Sequence, residues 1–251
     1  MAYIFDAKKT ANDLTAWVRD YFESSASPAT KAIIGISGGK DSSVAAAVCV
    51  KALGKDRVIG IMMPQGVQSD IDYSRRVCDF LGIKTYTINI GDTVTAFMDE
   101  LKKHIDPSDQ AIINTPARIR MTTLYAAAAS LGGRVVNTCN LSEDWVGYST
   151  KYGDAAGDFS PLSDLTVTEV LAVGDELGLP YDIVHKIPTD GLCGKTDEEN
   201  LGFTYAMLDR YIRGEDDLND VPDIKAKIER LHAANLHKLM LMPKFTNNIS
   251  D

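Results

Sequence analysis

The chain has 251 residues, enough for one large domain or two small ones, and its 45% hydrophobic and 24% charged content is that of a globular protein with a sizeable core. A formal net charge of −9 and a pI near 5.0 exclude a broad electrostatic grip on nucleic acid, which needs clustered Lys and Arg to neutralise phosphates. The four cysteines (Cys49, Cys78, Cys139, Cys193) form no Cys-x-x-Cys pair and read as reduced thiols of a cytoplasmic protein; no basic-then-apolar leader and no run of about 18 apolar residues marks export or a membrane span.

Residues 8 to 24 read as an opening helix, followed by an apolar strand, Lys31 to Ile36. That strand runs into Ser37-Gly38-Gly39-Lys40-Asp41-Ser42 and then into an Ala/Val-rich helix ending at Leu53. The junction has the chemistry of a phosphate cradle. Two glycines are expected to turn with positive φ and approach an anion, Ser37 and Ser42 add hydroxyl donors, and the helix aims its free N–H groups at the same point. It is not a Walker A loop, which requires Gly-x-x-x-x-Gly-Lys-Ser/Thr. Asp41 is a second clue, because a carboxylate beside a phosphate calls for a cation such as Mg²⁺ between them.

Further along, Arg57 to Met63, Lys84 to Ile90 and Arg134 to Asn137 read as strands, separated by helical patterns over Ser69 to Leu81, Thr93 to Lys103 and the Ala-rich Ile112 to Leu131. Strands alternating with helices predict an α/β fold, a doubly wound parallel sheet with helices on both faces. Segment 138 to 163 is polar, irregular and too long for a simple turn, as chemistry-bearing loops often are. Thr166-Val-Thr-Glu169 is a capping-box signature, opening a helix that stops near Gly178-Leu-Pro180. Two helices, roughly Glu198 to Ile212 and Val221 to Ala234, precede a Pro-containing tail. With no repeat and no low-complexity linker, one domain over residues 1 to 251 is the simplest organisation. In an open parallel sheet, ligands bind beyond the carboxyl ends of the strands. The cradle, the loop Met62 to Ser69 and the segment Thr138 to Asp158 are therefore expected to converge there.

The Ser-Gly-Gly-x-Asp-Ser pattern resembles the signature of the ATP pyrophosphatases, which cleave ATP between the α and β phosphates and pass AMP to a substrate oxygen. Within that superfamily (the adenine nucleotide alpha hydrolase-like fold), the closest resemblance lies in Thr138, then Ser-Glu143, then Gly-Tyr-x-Thr-Lys151-Tyr-Gly-Asp154-x-x-x-Asp158-x-x-Pro161-Leu. This looks like the signature of ammonia-dependent NAD synthetase. Asn114-Thr-Pro-Ala117-Arg118-Ile-Arg120-Met121, Ile187-Pro-Thr189-Asp-Gly-Leu192, Thr196-Asp-Glu198 and His237-Lys238 also match, so the likeness spans roughly residues 30 to 245.

The resemblance implies that Gly35, Ile36, Ser37, Gly38, Gly39, Lys40, Asp41 and Ser42, with Thr138 and Thr189, bind ATP, and that Asp41 and Glu143 hold Mg²⁺. It assigns Arg118, Lys151, Asp158, His237 and Lys238 to deamido-NAD. The implied reaction is an ATP-dependent amidation of deamido-NAD by ammonia through an acyl adenylate, giving NAD, AMP and pyrophosphate, in a homodimer. In-line attack at phosphorus demands positioning and charge neutralisation, so no protein nucleophile is expected. Ammonium must lose a proton before it attacks, and Asp154 is the candidate base. Only about thirty residues precede the first strand, so no glutaminase domain is expected. The loop from Thr189 to Glu199 is the candidate lid over ATP. Two positions depart from the family pattern. Val167 stands where a Lys contacting ATP is common, with Lys186 or Lys195 as candidate substitutes, and Pro116 suggests that its helix starts at Asn114-Thr115. Other readings are a different adenylating ATP pyrophosphatase or a nucleotide sensor without turnover.

Overall fold

The structure is a computed structural model and describes residues 3–25, 27–68, 71–186 and 196–246. Four strands, β1 (Lys31–Gly35), β2 (Val58–Met62), β3 (Lys84–Thr87) and β4 (Gly133–Val135), form one parallel sheet in the order β3-β2-β1-β4. The residue types explain the order. In β2 every position is buried, as a central strand covered on both faces requires, whereas the polar β3, Lys84-Thr-Tyr-Thr87, stands at an edge and is largely exposed.

Alternate residues of the strands feed two different cores. On one face Ala32, Ile34, Val58 and Met62 pack with α1 (Ala7–Ser25), α2 (Lys40–Leu53) and α3 (Ile71–Leu81). On the other, Ile33, Ile59, Ile61 and Val135 meet Met121, Leu124 and Ala128 of α5 (Asp109–Leu131), and α4 (Gly91–Lys102) adds Ile119-linked packing through Val94 and Met98. The doubly wound α/β arrangement expected from the alternation of elements is thus present.

Local sequence set several boundaries differently from expectation. Helix α5 begins at Asp109, where Ser108 caps it by accepting from the Ala111 N–H, and not at Asn114. Pro116 therefore lies inside the helix, leaving the Ile112 carbonyl without its i+4 donor. The proline is buried, and tertiary packing outweighs the lost bond. Segment 138 to 163 contains α6 (Leu141–Val146), capped by Asn140, and then returns to pair Phe159 beside Val136 at the sheet edge. Past α7 (Val167–Glu176), whose capping box forms as its sequence predicts, comes the short α8 (Tyr181–Val184). The single helix expected over Glu198 to Ile212 is two, α9 (Asp197–Leu201) and α10 (Tyr205–Ile212). Gly202, with φ of 76°, makes the corner and Thr204 caps the second piece.

Helices α6, α9, α10 and α11 (Pro222–Leu239) enclose a smaller core around Leu201, Phe203, Leu208 and Ile228, which α7 joins to the main one through Leu171. Buried Asp209 locks this layer together. Its carboxylate accepts from the Ser142 hydroxyl (2.5 Å) and from both the N–H and hydroxyl of Thr168 (2.8 and 2.6 Å), tying α10 to α6 and α7. Cys49, Cys78 and Cys139 are free and buried, and burial pushes the Cys49 and Cys78 thiols up to about 12 and about 11. Among the described residues no helix is long and apolar enough to cross a membrane.

Candidate active site

The strand order places the topological switch point between β1 and β4, where the chain leaves one strand toward β2 and the other toward the opposite edge. Loops following two such strands diverge and open a crevice at their carboxyl ends. The cradle after β1 and the Asn137–Glu143 segment after β4 meet there.

The cradle itself is built by one unusual backbone conformation. Gly38 has φ of +80°, and a Cβ there would lie 2.7 Å from the Ser74 backbone nitrogen, so only glycine fits against α3. Gly39 does not share this geometry. Its φ of −88° and ψ of 169° are those of an extended N-cap, so one glycine of the pair, not both, makes the positive-φ turn. No side chain among the described residues caps α2, leaving its first N–H groups directed at the crevice, a ready site for an anion. The Ser37 and Ser42 hydroxyls lie 3.1 Å apart, and Ser42 also accepts from the Ser37 N–H, so the loop is held in shape before any ligand arrives. Gly35 and buried Ile36 close its floor.

At the centre stands an ion cluster. The ammonium of Lys40, 5% exposed, lies 2.8 Å from Asp41 Oδ2 and 3.6 Å from Glu143 Oε1. Asn140 binds both sides of the crevice. Its Nδ2 donates to Asp41 Oδ1 at 2.9 Å, while its Oδ1 accepts from the Glu143 N–H and caps α6. Burial alone would favour the neutral form of Lys40, but Asp41 and Glu143 more than offset this and raise its pKa. Glu143 is pushed the other way from a normal acid: burial and the Asp41 charge hold it well above the usual carboxylate range, against the opposing pull of Lys40. Asp197, buried at the start of α9, adds further negative potential. One ammonium thus balances a group of three acids, an arrangement with room for more positive charge.

Among the described residues no three His, Cys, Asp or Glu side chains form a ready metal cage. Asp41 and Glu143 nevertheless approach the same ammonium from the first turns of two helices, α2 and α6. That donor set suits a hard cation that takes one or two carboxylates from protein and further oxygens from phosphate, which is the habit of Mg²⁺.

A second group lies around the loop that runs from α6 to Phe159. Arg118 Nε donates to the Lys151 carbonyl (3.3 Å), Lys151 Nζ to the His237 carbonyl (2.6 Å), and Lys238 Nζ to the Gly147 and Ser149 carbonyls (2.7 and 2.9 Å). Four of the five residues expected to hold the second substrate are therefore brought together, with their cations engaged on backbone carbonyls and the His237 ring turned to its own helix at Ala234. Asp158 uses one oxygen on the Val135 N–H (2.7 Å) and lines, with Asn137, Asp144 and Lys238, a cleft of about 220 Å³. Asp154 stands beside it. Its Oδ1 accepts from Thr150 N–H, its carbonyl from Asn137 Nδ2, and burial raises its pKa against the Thr150 bonds and Lys238. Burial likewise pushes nearby Asp144 up to about 6, with Asp154 adding to it.

Thr138 sits half-buried at the exit of β4, between the two groups. Val167 packs in the smaller core with Leu201 and Tyr205. Lys186 lies 4.4 Å from the centre of the Tyr73 ring, on the α3 wall behind Gly38. Thr189 and Lys195, and most of the expected lid, lie outside the described residues. The sequence reading passed over Asn140, Asp197 and Tyr205. Asn140 had a usable signal, an Asn followed three residues later by Glu at a helix start, and Asp197 lies within the matching Thr196-Asp-Glu198, whereas Tyr205 carried none.

A sequence model described as NAD synthase matches residues 10–248. The NH(3)-dependent NAD(+) synthetase of Thermococcus kodakarensis is 39% identical over 82% of this chain and 80% of its own. Among solved structures, the NMN synthetase from Francisella tularensis superposes with a TM-score of 0.85 at 32% identity, covering 96% of this chain and 100% of that one. The NH3-dependent NAD synthetase from Campylobacter jejuni gives 0.79 at 26% identity, covering 97% and 100%.

Proposed function

Because the chain belongs to the NAD synthase family, we propose that this crevice carries out the ATP-dependent amidation of deamido-NAD with ammonia, releasing AMP and pyrophosphate. The protein is a ligase. The observation that carries the reading is the meeting, at the switch point, of an uncapped helix N-terminus with the cluster Lys40, Asp41 and Glu143. The nicotinate carboxylate attacks the α-phosphorus as the bond to pyrophosphate breaks. Ammonia then forms the C–N bond as the acyl C–O bond to AMP breaks, and a proton is lost from nitrogen.

In this reading the α2 N–H groups, Ser37 and Ser42 hold phosphate oxygens, with Thr138 and Thr189 as further ATP contacts. Asp41 and Glu143 hold Mg²⁺, which would neutralise the pyrophosphate leaving group. Arg118, Lys151, Asp158, His237 and Lys238 position the dinucleotide, and Asp154 takes the ammonium proton. The protein acts as a cytoplasmic homodimer, and residues 1 to 251 work as one domain.

Lys40 answers the question raised by Val167. It occupies the variable position of Ser-Gly-Gly-x-Asp-Ser, and its ammonium reaches the acid cluster from beneath Tyr205, whose ring centre is 5.9 Å away in the same core as Val167. It would supply the cation missing at position 167. Lys40→Met is expected to raise the ATP KM between about 10- and 100-fold, the worth of one charge-assisted hydrogen bond. An unchanged KM in steady-state pyrophosphate release would return the role to Lys186 or Lys195.

The test of function is NAD formation and pyrophosphate release from ATP, Mg²⁺ and deamido-NAD, with and without ammonium. NAD should appear only with ammonium. The similarity to an NMN synthetase supports a second reading, with nicotinate mononucleotide as acceptor. Running the mononucleotide in parallel compares the two through kcat/KM.

A further inference from the structure

The phenol of Tyr205 is 4% exposed, and among the described residues its hydroxyl has no hydrogen-bond partner. A buried hydroxyl left unpaired is costly, and one retained in a native structure calls for an explanation, a ligand that completes it among them. The surroundings identify what is missing. The hydroxyl lies in the negative field of Glu143, Asp197 and Asp41, and the Lys40 ammonium lies near the ring of the same side chain. It bonds none of the three carboxylates, although each is an acceptor, so its donor is left for something that enters the crevice.

The backbone holds it there deliberately. The Gly202 corner between α9 and α10 brings Asp197 and Tyr205 to the same wall, and the Tyr205 N–H donates to Glu198 at 2.8 Å, fixing the start of α10. The ring is packed in the smaller core, so the hydroxyl cannot turn to solvent for a partner.

We infer that Tyr205 is a further substrate-binding residue of this site, its hydroxyl donating to a phosphate oxygen of ATP once the crevice between Lys40, Asp41 and Glu143 is filled. The inference rests on the assignment of that crevice to ATP. A phosphate oxygen is the acceptor expected beside an ammonium and a helix N-terminus, where Lys40 and Asn140 already engage Asp41 and Lys40 also lies near Glu143.

Tyr205→Phe removes only the hydroxyl. The free variant should unfold at the same temperature as the free wild type or a higher one, because an unpaired polar atom has gone. Its affinity for ATP with Mg²⁺, measured by calorimetry, should fall about tenfold or more, the cost of losing a hydrogen bond to a charged group. Opposite effects on the free and loaded states are the signature that a purely structural tyrosine would not produce. Equal ATP affinities in variant and wild type would overturn the inference and leave the function intact. A free variant of lower stability would overturn it too, by revealing a protein partner for the hydroxyl. If wild type itself failed to bind ATP with Mg²⁺, the assignment of the crevice would fall along with it.

Discussion

Asp41→Asn is expected to slow NAD formation on the order of 10²–10³-fold, with folding intact, and Glu143→Gln to do the same. Both replacements keep shape and remove charge. Asp41 now faces Lys40 with one oxygen and accepts from Asn140 with the other, and an amide retains the size but not the ability to face two donors and a cation together. Each variant also leaves Lys40 with one immediate counter-charge instead of two, so the ammonium is freer to compete for phosphate. If phosphate binding were the whole role of the acids, the ATP KM would fall or hold while kcat stayed high. If they hold a cation that acts on the leaving group, kcat falls. Titrating Mg²⁺ at saturating ATP separates these: the variants should require far higher Mg²⁺ for half-maximal rate. Wild-type activity that survives both substitutions would remove Asp41 and Glu143 from the metal site.

The second large effect concerns stability, far from the chemistry. Glu169, 4% exposed, accepts two bonds from Arg213 (2.7 and 2.5 Å), one from the Tyr3 hydroxyl and one from the Thr166 N–H (2.9 Å). It fastens the start of α7, the end of α10 and the N-terminal segment to each other. Arg213→Ala leaves a buried carboxylate without its cation and should cost about 3 kcal/mol, toward the low end for broken buried pairs because Arg213 is partly exposed. Urea denaturation at neutral pH should show the midpoint falling at unchanged m-value. Burial alone would raise the Glu169 pKa, but the Arg213 and Tyr3 bonds outweigh it and the value is lowered. A lowered folded-state pKa contributes stability above the unfolded value, about 4.3, that is lost as pH falls through the folded value. The gap between wild type and variant should therefore close below about pH 4. A gap that stayed constant into acid would mean that the arginine acts by packing.

The parts of the fold legible in sequence are those governed by near neighbours. The apolar run of β1 breaking into Ser-Gly-Gly, and Thr166 with Glu169 at a helix start, each satisfy a local rule, and each forms as read. Where a distant contact overrode the local rule, the reading failed. Pro116 argued for a helix start, yet burial of α5 against the sheet carries the helix through it from Asp109. One helix was expected from Glu198 to Ile212, but the smaller core needs a corner at Gly202.

The same division runs through the site. The sequence by itself determined the strand–turn–helix junction of Ser37 to Ser42, the presence of Asp41 and Glu143, and the family, because the junction's residues lie within a few positions of one another and the motif order is specific. Only the tertiary structure decided that Lys40 sits between two acids, that Asn140 reaches Asp41 from 99 positions away, and that the Tyr205 hydroxyl is buried without a partner among the described residues. Strand order brings these groups together, and burial then makes their mutual charges strong enough to matter. Neither strand order nor burial is a property of any short stretch of chain.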